Sequence, residues 1–278
     1  MAEATCMNLH SQLQTHRPIG LADLDSVALM DRYDEKFIVP TAWLGKVLSS
    51  LQNHQILTIA GAATTTYSNV YFDTPLKHCL ESHTRGRNQR VKVRIRQYEN
   101  TGVAFLEVKQ RDVHGKTTKH RQVRRSDQAW DAPLTSKERE FVGALVPFAD
   151  NLNPALRGRF ERFTLADLGT GERITFDQNL CFSLPPASSW QHPIPHLAVV
   201  EWKQATINHQ GALIQAFREQ PFRRGPLGRA LSLSKYILGQ HTLDPQHPMR
   251  TYTSALRDIF RAETLAANPT FAPEHLLR

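Results

Sequence analysis

The chain has 278 residues, which is enough for one large β domain or for two smaller domains with cores of their own. Its hydrophobic fraction of 40% excludes wholesale disorder, and no apolar run reaches the ~20 residues of a membrane-spanning helix, so we expect no membrane insertion. A formal net charge of +8 indicates an anionic partner, namely nucleic acid, a membrane surface or a phosphorylated ligand. The polar N-terminus and three cysteines without a C-x-x-C pair favour a cytoplasmic protein that lacks a zinc site and a disulfide framework.

The first part of the chain is predicted to alternate between helical and extended segments. Residues 1–19 are expected to form a polar arm, and an apolar face that begins at Leu21 predicts a short helix. An extended run from Asp31 to Val39 ends at Pro40, and the apolar spacing after Thr41 predicts a second helix.

Four β-rich segments follow at short intervals, and turn residues separate the last three of them. They are Thr64–Thr74, Arg90–Tyr98, Val103–Gln110 and Thr117–Arg124. Strands at this spacing predict an antiparallel meander.

The second half mixes helices and strands. Helices are predicted over Thr135–Phe148, where Thr135 and Glu138 can form a capping box, over Thr206–Glu219 and over Tyr252–Ala262. Strands are predicted over Phe160–Ala166, Glu172–Phe182 and His196–Lys203. About eight strands with a few flanking helices predict one α+β barrel domain, and residues 241–278 are expected to form a helical tail that packs on it.

Cations share one face of the predicted meander. Alternation along the strands places together Lys92, Arg94, Arg96, Lys109, Lys119 and Arg121. Glu107 is the only carboxylate on this face. Like charges at opposed strand positions destabilise a sheet, so this row indicates an anion that neutralises it.

Two later strands repeat the pattern. Glu201 shares a face with Lys203, and Arg173 shares a face with Asp177. Any single strand is equally typical of an ordinary sheet with its polar face in solvent, whereas the joint pattern favours a phosphate ligand, for which arginine supplies a bidentate fork and lysine a point charge. Asp73 and Asp177 are assigned to turns or barrel ends in preference to metal binding.

Seven segments occur in an order that resembles one known family. They are Asp31–Phe37, Tyr71–Pro75, Arg90–Arg96, Phe105–Lys109, Glu172–Asp177, Val200–Lys203 and Leu233–Tyr236. Over roughly residues 20–240 they resemble the VTC domain, the polyphosphate polymerase module of the triphosphate tunnel metalloenzyme superfamily, in a stand-alone bacterial form.

The resemblance implies a closed eight-stranded antiparallel β-barrel, or triphosphate tunnel, with flanking helices. It implies a metal-dependent phosphotransferase that transfers the γ-phosphoryl group of ATP, or of another nucleoside triphosphate, to a growing polyphosphate chain. The implied cofactor is Mn²⁺ or Mg²⁺. The implied partners are a nucleoside triphosphate and inorganic polyphosphate, without nucleic acid.

The expected site residues divide into three groups. Catalytic roles fall to Lys36, Arg94, Arg96, Lys109 and Glu201. Further phosphate contacts are expected from Arg32, Lys92, Lys119, Arg162, Arg173, Lys203, Ser234 and Lys235. Glu201 matches the metal-binding carboxylate of the family, and Glu107 is a second candidate metal ligand. His83 departs from the family pattern, because eukaryotic relatives carry arginine there.

Three other functions stay open at the level of sequence. A tunnel triphosphatase usually opens with alternating glutamates, whereas Asp31 and Glu35 are the only in-register carboxylates of the matching segment here. A non-catalytic module that binds polyphosphate or inositol phosphates would need cations but not Glu201. A nucleic-acid binder would carry aromatic stacking platforms among exposed cations, and this region is poor in aromatic residues.

Overall fold

A computed structural model describes residues 9–26, 33–125, 127–186, 189–219 and 227–268. Ten strands form one sheet. Their bounds are β1 Pro18–Ile19, β2 Tyr33–Pro40, β3 Gln55–Leu57, β4 Thr65–Asp73, β5 Arg90–Tyr98, β6 Ala104–Arg111, β7 Thr117–Arg124, β8 Asn153–Asp167, β9 Glu172–Ser183 and β10 Leu197–Gln204. The mixed α+β class and the large antiparallel sheet predicted from the sequence are confirmed.

Eight of the strands make a continuous antiparallel path in the order β2-β10-β9-β8-β4-β5-β6-β7. The expectation of a closed barrel is only partly correct, because no backbone ladder joins β2 to β7 in the described residues. The sheet nevertheless curls, since charged groups of β6 lie close enough to those of β2 and β10 to influence each other's protonation. The polar concave face encloses a space that we call the lumen.

Two short strands extend the sheet at one side. β1 pairs in parallel with β3, and β3 pairs with β8. Neither strand was predicted, because segments of two and three residues carry too little alternation to detect. Ile19 in β1 is buried, as is Leu13, so part of the expected polar arm packs into the fold.

The described part of the chain has a helical segment at residues 9–13 and seven further α-helices that flank the sheet. They are α1 Leu21–Ser26, α2 Leu44–Ser49, α3 His78–Thr84, α4 Ser136–Gly143, α5 Ala212–Arg218, α6 Lys235–Leu243 and α7 Thr253–Ala266. The capping box of α4 is present as predicted, but the helix stops at Gly143, ahead of Pro147. α5 begins six residues later than predicted because a turn from Asn208 to Gly211 precedes it.

The outer face of the sheet is apolar and covered by helices. Val93 and Ile95 of β5 are buried in one cluster with Val142 of α4. On the other side, the ring of Phe37 in β2 meets that of Phe217 in α5 at 5.3 Å. α7 packs against β2 and β10. Because the apolar residues face the helices, the alternating polar residues must face the lumen.

Helix α6 sets the position of two predicted site residues. A Cβ atom at Gly239 would lie 2.5 Å from Phe182 and 2.7 Å from Leu156, so only glycine lets α6 approach β8 and β9 this closely. The start of α6 carries Ser234 and Lys235 into the lumen.

The motifs around Asp73 and Tyr236 are linked through one hydrogen-bonded group. The Tyr236 hydroxyl donates to Asp73 Oδ2 at 2.6 Å, and the backbone N–H groups of Cys79 and Leu80 donate to the same carboxylate at 2.8 and 2.9 Å. Asp73 therefore ends β4 and orders α3, which is the turn role predicted for it. No helix in the described residues is long and apolar enough to cross a membrane.

Candidate functional site

The cations of the meander stand in register across three strands. Lys109 on β6 pairs with Lys92 on β5 and with Lys119 on β7, and the next row holds Arg94, Glu107 and Arg121. The row of like charges read from the sequence is therefore a row in space.

Glu107 is the counter-ion of this wall. Its carboxylate is 3% exposed and accepts from Arg94 Nη2 at 2.6 Å, with Lys119 as its other partner. Burial alone would raise the pKa of Glu107, but Arg94, Arg96 and Lys119 hold it well below its ordinary range. Glu107 is thus ionised, and both of its oxygens are engaged by cations. Arg121 instead lies over the ring of Phe105, 4.1 Å from its centroid.

A second counter-ion lies on the adjoining wall. Arg162 on β8 donates to both oxygens of Asp177 on β9, at 2.5 and 2.8 Å, and Lys235 donates to Asp177 Oδ2 at 2.5 Å. Burial opposes ionisation of Asp177, but Arg162 and Lys235 lower its pKa. The assignment of Asp177 to a barrel end was wrong, because the residue lies in the middle of β9 and faces the lumen.

Two aromatic rings pack against the guanidinium groups of Arg96 and Arg162. The rings of Tyr67 and Phe160 stack with a centroid separation of 5.4 Å. The Arg96 and Arg162 guanidinium groups each lie 5.2 Å from the Tyr67 centroid, and Arg96 Nε donates to Asn69 Oδ1 at 2.9 Å. These contacts fix the direction of the two guanidinium groups. Tyr67, Phe160 and Asn69 were not identified from the sequence, where Tyr67 was read only as part of a strand.

Glu201 lies on a third wall, among lysines. Lys203 Nζ is 2.6 Å and Lys36 Nζ is 3.9 Å from Glu201 Oε1. Lys203 is also 3.4 Å from Asp34 Oδ2. Burial would raise the pKa of Glu201, but Lys203, Lys36 and Arg162 hold it well below its ordinary value. Arg173 stands opposite Lys203 in the register and adds positive charge beside it.

Lys92 and Ser234 meet at the α6 end of the lumen. Lys92 Nζ donates to Ser234 Oγ at 3.2 Å, and burial together with Arg94 and Lys109 holds the pKa of Lys92 well below its ordinary value. His83 of α3 is 5% exposed beside them, and burial followed by the charge of Lys92 lowers its pKa to about 3. The imidazole is therefore neutral at pH 7.

The charge of Lys109 on β6 interacts with charged groups of β2 and β10, which lie at the other end of the strand order. The side chain of Lys109 is partly accessible to solvent, but the surrounding strands still desolvate its ammonium group. This desolvation and the positive charge of Lys36 both lower the pKa of Lys109. Glu201 and Asp34 act in the opposite direction. Groups from β2, β6 and β10 thus face one space.

The structure brings most of the predicted residues to this one space. The residues that face the lumen through the contacts above are Lys36, Lys92, Arg94, Arg96, Lys109, Lys119, Arg162, Glu201, Lys203, Ser234 and Lys235. Arg173 joins them by its register position. Arg32 lies outside the described residues.

The model of the VTC domain family matches residues 31–239. The chain belongs to the VTC domain family. The family suggested by the sequence motifs is thereby confirmed, over nearly the same residues. No curated protein matches this VTC domain chain.

Three solved structures are similar to the chain at low identity. A candidate adenylate cyclase from Bacillus halodurans is 15% identical, with a TM-score of 0.42, over 67% of this chain and 88% of that one. Another from Vibrio parahaemolyticus is 12% identical, with a TM-score of 0.38, over 67% and 83%. A candidate adenylyl cyclase from Hippeastrum, described as having a dominant triphosphatase activity, is 15% identical, with a TM-score of 0.39, over 63% and 79%.

Proposed function

We propose that the protein is a polyphosphate polymerase, which transfers the γ-phosphoryl group of ATP or another nucleoside triphosphate to a growing polyphosphate chain. The observation that carries this proposal is the excess of cations in the lumen over carboxylates that could neutralise them. Lys92, Lys109 and Arg96 face the lumen without a salt bridge among the described residues. Donor and acceptor are both phosphate chains, and this reaction requires a site that holds two polyanions together.

Phosphoryl transfer depends on positioning and charge neutralisation more than on covalent chemistry by the protein. Arg94 and Arg96 present guanidinium groups of fixed direction, which suits the oxygens of the transferred phosphoryl group. Lys36 on the edge strand β2 and Lys109 on β6 face the same space from different parts of the sheet, so they can screen the acceptor from the donor. The terminal phosphate of the acceptor is already ionised, and the reaction therefore needs no general base.

Glu201 is the residue that we assign to a divalent metal, Mn²⁺ or Mg²⁺. In the described residues no group of three or more histidine, cysteine or acidic side chains could hold an ion alone. One carboxylate nonetheless fits a hard cation that takes its other ligands from water and substrate phosphates. The ion would neutralise charge on the phosphates when bound. Glu107 is a weaker ligand candidate because Arg94 and Lys119 already occupy its oxygens.

The main alternative function is that of a tunnel triphosphatase, and the positions of the carboxylates on β2 argue against it. Asp34 pairs with Lys203 at 3.4 Å. Glu35 accepts a hydrogen bond from Gln204 Nε2 at 2.9 Å and lies on the outer face of the sheet. A second metal would therefore have few carboxylate ligands on this strand. A non-catalytic polyphosphate or inositol-phosphate module would not need Glu201 in the lumen.

The protein is expected to act in the cytoplasm on ATP, and product analysis tests the assignment. We expect purified protein with ATP and Mn²⁺ to form long-chain polyphosphate, resolved by gel electrophoresis, together with ADP. Release of free phosphate without polymer would instead establish the triphosphatase. Binding of polyphosphate without ATP turnover would establish the non-catalytic module.

A further inference from the structure

The lumen face of β5 and β6 continues beyond the residues assigned above. Arg90 and Arg111 are direct partners at the ends of these strands, one row outside the pair Lys92 and Lys109. Both arginines occupy the positions that alternation places on the lumen face. We call this pair the rim.

In the described part of the chain, the rim carries positive charge without a counter-ion. Arg90 Nη1 donates to the carbonyl oxygen of Arg87 at 3.2 Å, and Arg111 Nε donates to that of Gly115 at 3.0 Å. Within the described ranges neither arginine forms a salt bridge. The first carboxylate on this face of β5 and β6 is Glu107, which lies one row beyond the pair Lys92 and Lys109. Arg94 and Lys119 already pair with Glu107. Opposed like charges destabilise a sheet, so an external anion would stabilise the rim.

The charged face is longer than a triphosphate. Arg90 and Arg96 are six residues apart on one strand, which corresponds to ~20 Å at about 3.4 Å per residue. Three phosphorus atoms joined by single bridging oxygens are shorter than this. A ligand that contacts both Arg96 and the rim must contain more phosphates.

The rim suits a polyanion better than a nucleoside. Bases bind preferentially to aromatic side chains on which they stack. Among the described phenylalanine, tyrosine and tryptophan residues only Tyr33 is well exposed, at 52%, and it pairs with Gln204 at the opposite end of the sheet.

We propose that the rim is an outer subsite for inorganic polyphosphate, over which the chain leaves the lumen, and that it makes the protein prefer long chains to tripolyphosphate. This inference rests on the proposed polymerase function for its ligand. It is tested by binding in the absence of nucleotide, so a failed polymer assay and a failed rim test are separate results.

Equilibrium binding of tripolyphosphate and of size-fractionated long polyphosphate by the full chain tests the rim. The double variant Arg90→Gln/Arg111→Gln should weaken long-chain binding about tenfold, equivalent to about 1.4 kcal/mol. Its affinity for tripolyphosphate and for ATP should change less than about twofold, equivalent to about 0.4 kcal/mol. The matched control Arg257→Gln/Arg261→Gln removes the same charge from exposed positions of α7 and should change neither affinity.

Three results would overturn the subsite. If the double variant bound long polyphosphate with unchanged affinity, the rim would not be a subsite. If its affinities for long polyphosphate and tripolyphosphate fell equally, the rim would be part of the triphosphate site. A selective loss of ATP binding would assign the rim to the nucleoside. If the double variant does not fold, the single variant Arg111→Gln supplies the same comparison with a smaller expected loss.

Discussion

Arg162 on β8 and Asp177 on β9 form a two-fold hydrogen-bonded pair inside the lumen, with N–O distances of 2.5 and 2.8 Å. They are direct partners in the strand register. Lys235 reaches the same carboxylate from α6, so one buried anion compensates two cations from different elements. Asp177 therefore acts as an internal counter-ion of these two lumen cations.

Removing the charge of Asp177 should destabilise the empty protein. Asp177→Asn leaves Arg162 and Lys235 uncompensated, and breaking a buried ion pair typically costs about 3–5 kcal/mol. Tripolyphosphate should stabilise this variant more than the wild type, because it supplies the missing negative charge. Urea denaturation with and without tripolyphosphate measures both effects.

The control for this variant is Asp127→Asn, which disturbs only the exposed pair with Arg125. Its cost should lie within about 1 kcal/mol, the range of surface pairs. Equal stability of Asp177→Asn and wild type would show that the lumen cations need no counter-ion.

Two neighbouring cations should respond differently to substitution. Arg94→Gln and Lys109→Gln should each weaken triphosphate binding by about 1.5–3 kcal/mol, the scale of hydrogen bonds to charged groups. Arg94→Gln should also destabilise the ligand-free protein, because it removes one of the two cations that pair with the buried Glu107 carboxylate. Lys109→Gln should leave stability unchanged or raise it, since it relieves repulsion from Lys36. Full affinity in both variants would make these cations structural.

Sequence reasoning recovered the eight longer strands and their polar face, because both follow from period-2 alternation. The pairing of Lys92 with Lys109 was seen only in the structure, because alternation gives the face of a residue and not its partner on the next strand. The role of Asp177 was not predicted, because it depends on Lys235, which lies 58 residues further along the chain and reaches the carboxylate from α6. Helix α3 escaped detection because its order comes from Asp73 and Tyr236, which are 163 residues apart.

Glu201 should be required for turnover but not for nucleotide binding. Glu201→Gln keeps the shape of the side chain and removes the charge that Lys203 and Lys36 hold ionised. We expect polymer formation to fall below detection across a Mn²⁺ titration, while ATP affinity is retained. Glu140→Gln, at an exposed position of α4, is the matched control and should keep full activity. Wild-type turnover by Glu201→Gln would reject the metal assignment.

His83 should contribute to acid sensitivity of the empty protein. Burial and Lys92 depress its pKa from 6.5 to about 3, so the unfolded chain binds this proton more readily than the folded protein. The contribution of His83 to stability is therefore full above about pH 6.5 and falls progressively as the pH drops toward 3. His83→Gln should unfold with a shallower pH dependence in this window. Identical pH profiles for His83→Gln and wild type would mean that the imidazole titrates normally.

The central claim is that the lumen binds a linear phosphate chain, and a thermal-shift series at constant ionic strength tests it most directly. A ligand that binds only the folded protein stabilises it by about 2.7 kcal/mol at a hundredfold excess over Kd. Tripolyphosphate should therefore raise the Tm by several degrees, whereas monophosphate and double-stranded DNA should raise it much less. No shift with tripolyphosphate, or an equal shift with DNA, would contradict a phosphate-binding lumen.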